Sequence, residues 1–338
     1  MAIHVRTARR NEYEAVAHLA LSAFGHTGEN ARAATADRLS LLHDTQGRAA
    51  QGEVLVAEDS ETGALSGTVT VLPAGVPYSR QAQPGEAEVR LLAVDSEARQ
   101  RGVGWLLLEE AARVADLWDA EHLVLDTAAD NQRSRRLYDG FGYERQPWRD
   151  VQGNDSHPDL VVYAQRLWGS DIVVRQANSS EYADVAELTL ESYESDYSIR
   201  QEYREALQAV SSRATEHQVW IAAQRSTRRL LGTVTTPKPG ANVSELGQPD
   251  ELDFRFLAIA PHAKGQGIGT LLISHVEWLA AQRGLQRVVL NSGIKMFPAH
   301  SLYGKLGYRR LHLREREHPG IGHVLAFGKT VDPAPSFA

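Results

Sequence analysis

Two glycine-rich segments carry the residue types whose spacing most clearly predicts chemistry. The first reads Arg-Gln-Arg-Gly-Val-Gly at residues 99–104, and the second reads Lys-Gly-Gln-Gly-Ile-Gly at residues 264–269. Each segment opens an apolar stretch that is typical of a helix. Backbone N–H groups at the start of a helix point towards one spot, and the helix dipole adds positive charge there. Each segment therefore predicts a phosphate-binding site.

A tyrosine follows each glycine-rich segment at the same distance. Tyr138 lies 36 residues after Gly102, and Tyr303 lies 36 residues after Gly267. Neither segment continues into the Gly-Lys-Ser/Thr of a nucleoside triphosphate loop, and residues 102–107 lack the third glycine of a dinucleotide fingerprint. The repetition predicts a duplicated cofactor-binding domain with one candidate catalytic tyrosine in each copy.

The elements around these segments repeat as well. Alternating apolar residues predict a strand near each start, at residues 3–8 and 172–177, and apolar residues at helical spacing follow. Further strands and helices alternate in both copies, which favours an α/β (α+β) fold. The offset between the copies falls from 169 to 165 residues between Leu19 and Val54, and we interpret residues 45–51 as a loop that carries this difference.

A strand precedes each glycine-rich segment, at residues 88–94 and 253–259, and begins with an acidic residue. Side chains of a regular strand alternate between two faces. Alternation would place Glu88, Arg90 and Leu92 on one face and Val89 and Leu91 on the other.

Length and composition fit a two-domain globular protein. The chain has 338 residues, of which 42% are hydrophobic and 23% charged. We predict domains at residues 1–168 and 171–330, followed by a loose tail at residues 331–338. The sequence contains no Cys, which excludes a cysteine nucleophile and thiolate metal ligands, and we predict no metal site.

Charge and hydropathy restrict the partners. The net charge of −7 argues against general nucleic-acid binding, because phosphate backbones favour basic surfaces. Apolar runs are too short for a membrane span or a signal peptide, so we expect a cytoplasmic protein without a membrane partner. The sequence is compatible with a monomer and with a homodimer.

Taken together, these residues resemble the GNAT superfamily of N-acetyltransferases. Its cofactor motif, Gln/Arg-x-x-Gly-x-Gly/Ala after a central strand, matches residues 99–104, and the second copy departs from it by having Lys264 at the first position. A helix with Leu-Tyr, followed by Phe-Gly-Tyr or Leu-Gly-Tyr, is the second hallmark. The resemblance covers both halves almost end to end. It implies two tandem GNAT domains, each with a mixed, mostly antiparallel central sheet and helices on both faces.

The resemblance also implies acetyl-CoA as co-substrate. Its pyrophosphate would lie on the N–H groups of residues 101–104 and 266–269, and its pantetheine arm would pair with residues 92–94 and 257–259, where the strand splays from its neighbour. Asn131 and Ser134 could bond to pantetheine amides in the first copy, whereas the second copy has Met296 and Ala299 there. The implied cofactor-binding residues are Leu92, Ala93, Val94, Arg99, Arg101, Gly102, Val103, Gly104, Asn131, Ser134, Leu257, Ala258, Ile259, Lys264, Gln266, Gly267, Ile268 and Gly269.

The implied reaction is direct transfer of an acetyl group to a primary amine of a small molecule. Tyr138 and Tyr303 match the family's general acid for the leaving thiolate, and a phenol with an ordinary pKa of about 10 is protonated at neutral pH. Alternatively, each tyrosine only packs its helix onto the sheet. Glu88 and its counterpart Asp253 stand where some members carry a catalytic base. Alternatively, Glu88 pairs with Arg90 and the amine loses its proton to water.

Other functions stay open at this point. These are a lysine or N-terminal acetyltransferase of proteins, an enzyme similar to mycothiol synthase, and an acyl-CoA sensor with one inactive domain. Acceptor choice is expected in residues 26–50 and 194–213. Tyr193, Tyr197 and Tyr203, in and beside the second region, could attract an amine by cation–π contact, although a solvated helix face explains the neighbouring charges equally well.

Overall fold

The computed structural model describes residues 3–28, 31, 33–154, 158–169, 171–318 and 322–332. The chain divides into two compact units, Met1–Ser170 and Asp171–Ala338, which we call unit 1 and unit 2. Most of the predicted tail, residues 333–338, lies outside the described residues. Of the helices that the structure describes, none combines the length and the hydropathy needed to span a bilayer.

Unit 1 contains a seven-stranded mixed sheet in its described residues. Its strands are β1 (Ile3–Thr7), β2 (Glu53–Asp59), β3 (Leu65–Pro73), β4 (Glu86–Val94), β5 (His122–Ala128), β6 (Glu144–Arg145) and β7 (Leu160–Arg166). Its α-helices are α1 (Tyr13–Ala23), α2 (Ala36–His43), α3 (Thr45–Gln51), α4 (Val103–Leu117) and α5 (Gln132–Phe141). The sheet order is β1-β2-β3-β4-β5-β7-β6, and only the β4–β5 pair within it is parallel.

Unit 2 repeats this plan. Its strands are β8 (Ile172–Gln176), β9 (His217–Gln224), β10 (Leu230–Pro237), β11 (Glu251–Ile259), β12 (Arg287–Gly293), β13 (Arg309–Arg310), β14 (Arg316–His318) and β15 (Gly322–Thr330). Its α-helices are α6 (Tyr182–Glu194), α7 (Gln201–Gln208), α8 (Val210–Glu216), α9 (Ile268–Gln282) and α10 (Phe297–Lys305). The order is β13-β15-β12-β11-β10-β9-β8, with β14 beside β15 and β11–β12 as the parallel pair. The predicted α/β fold with mixed, mostly antiparallel sheets is confirmed.

The two faces of the unit 1 sheet bury different helices. Val89 packs with residues of α4 and α5, including Leu107 and Phe141. Leu91 and Ala93 pack on the other face, with Leu19 and neighbouring residues of α1. The sheet is therefore covered on both sides, as the resemblance implied.

The predicted alternation along residues 88–94 is wrong beyond Arg90. The β3–β4 register shifts between Thr68 and Thr70, and Leu91 has a φ of 54°. This bulge places one extra residue on β4 and reverses the faces after it. Leu92 consequently packs on the α4 face with Val89. Unit 2 repeats the bulge at Phe256, which has a φ of 55°.

Residues 45–51 form α3 rather than the predicted loop. The Asp44 carboxylate accepts a hydrogen bond from the Gly47 backbone N–H at 2.7 Å, which caps this short helix. Its counterpart α8 lies 165 residues later, as α7 does relative to α2. The length difference between the units therefore precedes α2, where residues 24–35 correspond to residues 193–200.

Candidate active site

The glycine-rich segments form matching turns before α4 and α9. Gly102 and Gly267 are the N-cap residues and have left-handed φ values of 80° and 82°. Two positions earlier, Gln100 and Gly265 are also left-handed, with φ values of 63° and 78°. Alternating left- and right-handed residues turn successive N–H groups into one concavity, which is a binding site for anions.

The first N–H groups of α4 and α9 have no side-chain cap. The helix itself provides no carbonyl partner for these donors. A Cβ built on Gly102 or Gly267 would meet no atom within 4 Å, so space adjoins each turn. Both turns thus offer donors and room for a pyrophosphate, as the resemblance requires of residues 101–104 and 266–269.

The last glycine of each turn has a packing role. A Cβ on Gly104 would lie 3.0 Å from Leu137 Cδ2, and a Cβ on Gly269 would lie 2.9 Å from Leu302 Cδ2. These close approaches bring α4 against α5 and α9 against α10. The turns therefore lie next to the helices that carry Tyr138 and Tyr303.

The central strands splay next to these turns. The register of β4 with β5 runs from Glu86–His122 to Val89–Leu125, and that of β11 with β12 runs from Glu251–Arg287 to Phe254–Leu290. Both β4 and β11 continue for five residues beyond the last pair. Residues 92–94 and 257–259, predicted to hold pantetheine, lie on these unpaired edges.

The cleft edge differs between the units at one N–H group. Asp95 and Ala260 donate to carbonyls of the neighbouring strands β3 and β10, so the preceding N–H groups, of Val94 and Ile259, point towards the splay. Ile259 N donates to Ser192 Oγ at 3.1 Å. Ala23 is the residue of unit 1 that corresponds to Ser192, and it has no hydroxyl.

The basic residues of the motif bind helix ends rather than the turn. Arg99 donates to the carbonyls of Val94 at 3.2 Å and Ala23 at 3.0 Å. Lys264 donates to Ser195 Oγ at 2.9 Å and forms an ion pair with Asp196 at 2.7 Å. In both units this position fastens the end of the central strand to the end of the first long helix.

The other polar residues of the turns face the surface. Arg101 is exposed, and the Gln266 side-chain amide donates to the carbonyl of His262 at 2.8 Å. Val103 and Ile268 are buried beneath the turns, where they anchor the first residue of each helix.

The two candidate catalytic tyrosines are deeply buried. Tyr138 and Tyr303 are each 5% exposed. Burial raises the pKa of both phenols, and for Tyr138 a hydrogen bond with Ser134 opposes the rise while the nearby charge of Asp126 reinforces it. Each hydroxyl is therefore protonated at neutral pH. Both rings also pack on other aromatic rings, among them Tyr143 and Tyr308.

Glu88 anchors a loop. Its carboxylate is fully buried, and one oxygen accepts hydrogen bonds from the hydroxyl of Ser79 and from the backbone N–H groups of residues 80–82, at 2.5 to 3.2 Å. Arg90 Nε lies 3.6 Å from the other oxygen. These contacts fix the β3–β4 loop.

Asp253 holds the corresponding loop of unit 2. It accepts a hydrogen bond from Val243 N at 2.9 Å and further bonds from Ser244. Burial raises the pKa of Asp253, and these hydrogen bonds oppose the rise. Both acids are thus part of the same structural device.

Asn131 and Ser134 have local partners. The Asn131 side chain caps α5 by accepting from Ser134 N at 3.2 Å, and the Ser134 side chain contacts the Tyr138 hydroxyl. The counterpart of Asn131, Met296, provides no side-chain cap to α10. Unit 1 therefore positions its tyrosine with polar contacts that unit 2 lacks.

A pocket that is open to solvent lies at the splay of unit 2. Tyr303 and residues of β11 line it, and so do Tyr193 and Tyr203 from the predicted acceptor region. Sequence reasoning missed two of its polar residues, Arg255 and Asn291. Asn291 comes directly after the last residue of β12 that pairs with β11, and this position could have identified it.

A known protein family matches both halves of the chain. The model of the acetyltransferase (GNAT) family matches residues 14–143 and 182–308. No curated protein matches the sequence. A solved N-acetyltransferase from Staphylococcus aureus Mu50 is 21% identical over 50% of this chain and 100% of its own, with a TM-score of 0.37.

Another solved structure, ribosomal-protein-alanine N-acetyltransferase from Brucella melitensis, is 22% identical over 48% of this chain and 99% of its own, with a TM-score of 0.36. Each of these two solved structures aligns over nearly its whole length with about half of this chain. The family match, in contrast, occurs once in each half and spans most of the sequence. The chain therefore belongs to the GNAT family of acetyltransferases and contains two tandem domains of that family.

Proposed function

We propose that each unit transfers an acetyl group from acetyl-CoA directly to a primary amine of a small molecule. The observation that carries this proposal is the recurrence, in both units, of an uncapped helix N-terminus beside a splayed strand and a buried, protonated tyrosine. A catalytically inactive duplicate would have no requirement for all three features.

Different groups of residues bind the cofactor, orient it and donate the proton in the proposed reaction. N–H groups at the start of α4 and α9 bind the pyrophosphate, and the free edges of β4 and β11 orient the pantetheine arm. Acetyl-CoA supplies the acetyl group as a thioester. Tyr138 and Tyr303 donate a proton to the sulfur that leaves. The absence of Cys fits direct transfer to the amine, because no cysteine is present to carry the acetyl group.

Glu88 and Asp253 are proposed to act in catalysis through the loops that they hold. Their oxygens already accept hydrogen bonds from backbone N–H groups, so neither carboxylate needs to touch the amine. The amine can lose its proton to water before it attacks.

Release of free CoA thiol tests this proposal. The full chain is incubated with acetyl-CoA and a panel of primary amines, with lysine-containing peptides and peptides with free N-termini as a second panel. Turnover with small amines but not with peptides is expected. Turnover confined to peptides would assign the chain to protein acetylation, and acetyl-CoA binding without turnover on either panel would support an acyl-CoA sensor.

A further inference from the structure

We propose that unit 1 selects amines that carry a carboxylate or a similar anionic group, and that Arg38 and Arg90 bind this group. The inference rests on the proposed function, since it names the acceptor class of one of the two sites. It concerns side chains that none of the motifs includes.

The duplication shows which residues of unit 1 correspond to the cavity of unit 2. Five residues that line that cavity are Tyr193, Tyr203, Arg255, Asn291 and Tyr303. Their counterparts, at offsets of 169 residues for the first and 165 for the others, are Phe24, Arg38, Arg90, Asp126 and Tyr138. The same places in the fold thus hold more charge in unit 1.

Arg38 is the residue of this set whose charge is least satisfied. Its guanidinium lies over the Phe24 ring, 4.6 Å from the ring centre, and is half-buried. Within the part of the chain that the structure describes, it forms neither an ion pair nor a side-chain hydrogen bond. A guanidinium removed from water without an acceptor is costly, and a bound anion would relieve this cost.

The neighbouring charges that act on Arg38 are two arginines, Arg90 and Arg80, and one opposing acid, Asp126. Burial lowers the pKa of Arg38, and repulsion from Arg90 and Arg80 lowers it further. Asp126 is the nearby acid, but its carboxylate already accepts hydrogen bonds from Arg80 at 2.5 Å and from Gln81 at 3.1 Å. A bound anion would therefore not have to displace the Asp126 carboxylate from Arg38.

Arg90 is held beside this position. It donates to the carbonyl of Tyr78 at 2.7 Å through one terminal nitrogen, while its Nε faces Glu88 at 3.6 Å. Val89 faces α4, so regular alternation places Arg90 on the opposite face of β4, which α1 and α2 cover; Arg38 belongs to α2. Two guanidinium groups on one side of the splay suit a planar carboxylate.

Packing alone does not require an arginine at residue 38. In unit 2 the corresponding Tyr203 packs on Tyr193 with ring centres 5.8 Å apart. This aromatic pair fills the place of the Arg38–Phe24 pair without adding a charge. At this one place unit 2 consequently offers a hydroxyl group and an aromatic ring where unit 1 offers a cation, whereas Arg90 and Arg255 are cations in both units.

The test compares acids with their amides in the Tyr303→Phe variant, in which unit 1 provides the turnover. L-Leucine, β-alanine and 4-aminobutyrate are each measured beside the primary amide of the same acid, by thiol release from acetyl-CoA. Amide and acid have nearly the same shape, but the amide lacks the negative charge. At least one acid is expected to exceed its amide in kcat/KM by about tenfold or more, the value of a charge-assisted hydrogen bond.

Arg38→Gln in the same background should abolish this preference, by lowering kcat/KM for the acids much more than for the amides, whereas Arg38→Lys should retain part of it. Equal use of every acid and amide, or equal loss of both in Arg38→Gln, would overturn the inference while leaving the proposed function intact. Turnover of neutral amines alone would overturn it as well. Failure of every amine in the wild-type chain would instead refute the proposed function.

Discussion

At the scale of single residues, the proposed mechanism depends on the hydroxyl groups of Tyr138 and Tyr303. Replacing both tyrosines by Phe keeps the buried rings but removes the proton donors. We expect kcat to fall by about 100-fold or more, the usual contribution of a general acid, while acetyl-CoA binding measured by calorimetry is unchanged. Full turnover in the double variant would show that the tyrosines only pack their helices.

The pH dependence of turnover follows from the same burial. Burial raises the pKa of both phenols above their ordinary value of 10.0, and the general acid acts while it is protonated. Raising the pH also increases the neutral fraction of the amine. We therefore expect kcat/KM to rise and then level off, with no descending limb below about pH 10. A descending limb near pH 8 would indicate a different acid.

For Glu88, a structural role and a catalytic role predict different effects of the same substitution. Glu88→Gln retains the shape but weakens four hydrogen bonds to the β3–β4 loop and brings an N–H group to face backbone donors. We expect a loss of about 2 kcal/mol in the free energy of unfolding, measured with urea. Glu97→Gln, on the surface, is the matched control and should be neutral. A large fall in kcat with unchanged stability would instead support a catalytic base.

At the scale of elements, the apolar stretches after the glycine-rich segments sufficed to predict helices there, and the structure has α4 and α9 at these places. Periodicity failed at the β4 bulge, because alternation assumes a regular strand and Leu91 adopts a left-handed φ that its residue type does not favour. It also failed at α3, where Asp44 before Thr45 was the available N-cap signal. The proposed acceptor site was predicted only in part: residues 26–50 include Arg38, whereas Arg90 and Asp126 lie near Arg38 only through the tertiary fold.

The turns before α4 and α9 allow a reciprocal test of backbone strain. A left-handed φ is energetically unfavourable for any residue that has a Cβ. Gln100 adopts such a φ, whereas unit 2 has Gly265 at the same place. Gln100→Gly should stabilise the protein by about 1 kcal/mol, and Gly265→Ala should destabilise it by a similar amount, both in urea denaturation. Equal and opposite shifts would show that the two turns adopt one conformation. Destabilisation by Gln100→Gly would mean that the Gln100 side chain contributes contacts of its own.

At the scale of the whole molecule, the two units share the candidate cofactor-binding features and differ in the residues around them. Both units keep left-handed glycines before a long helix, a splayed strand and a buried tyrosine. Among the surrounding residues, Arg38 of unit 1 is replaced by Tyr203 in unit 2, Asp126 by Asn291, and Asn131 by Met296. Common chemistry with different acceptor residues is the pattern expected when two copies serve two substrates.

The number of cofactor sites in each chain follows from this symmetry. We expect calorimetric titration with acetyl-CoA to find two sites, one lost in Gly102→Val and the other in Gly267→Val, because a β-branched residue cannot adopt the left-handed N-cap conformation without strain. A single site, insensitive to Gly267→Val, would make unit 2 a structural partner of unit 1.

The two sites should also differ in their affinity for acetyl-CoA, and one hydrogen bond in unit 2 should make that site the weaker one. In unit 2 the Ile259 N–H at the cleft edge already donates to Ser192, so a cofactor must displace that bond, whereas Ala23 offers no such competitor in unit 1. Ser192→Ala should therefore tighten the weaker site by about two- to tenfold, the worth of one neutral hydrogen bond. Ala23→Ser is the mirror variant and should weaken the tighter site. If neither variant changes its affinity, the edge N–H at residue 94 or 259 does not contact the cofactor, and the pantetheine arm pairs with other groups of the splayed strands.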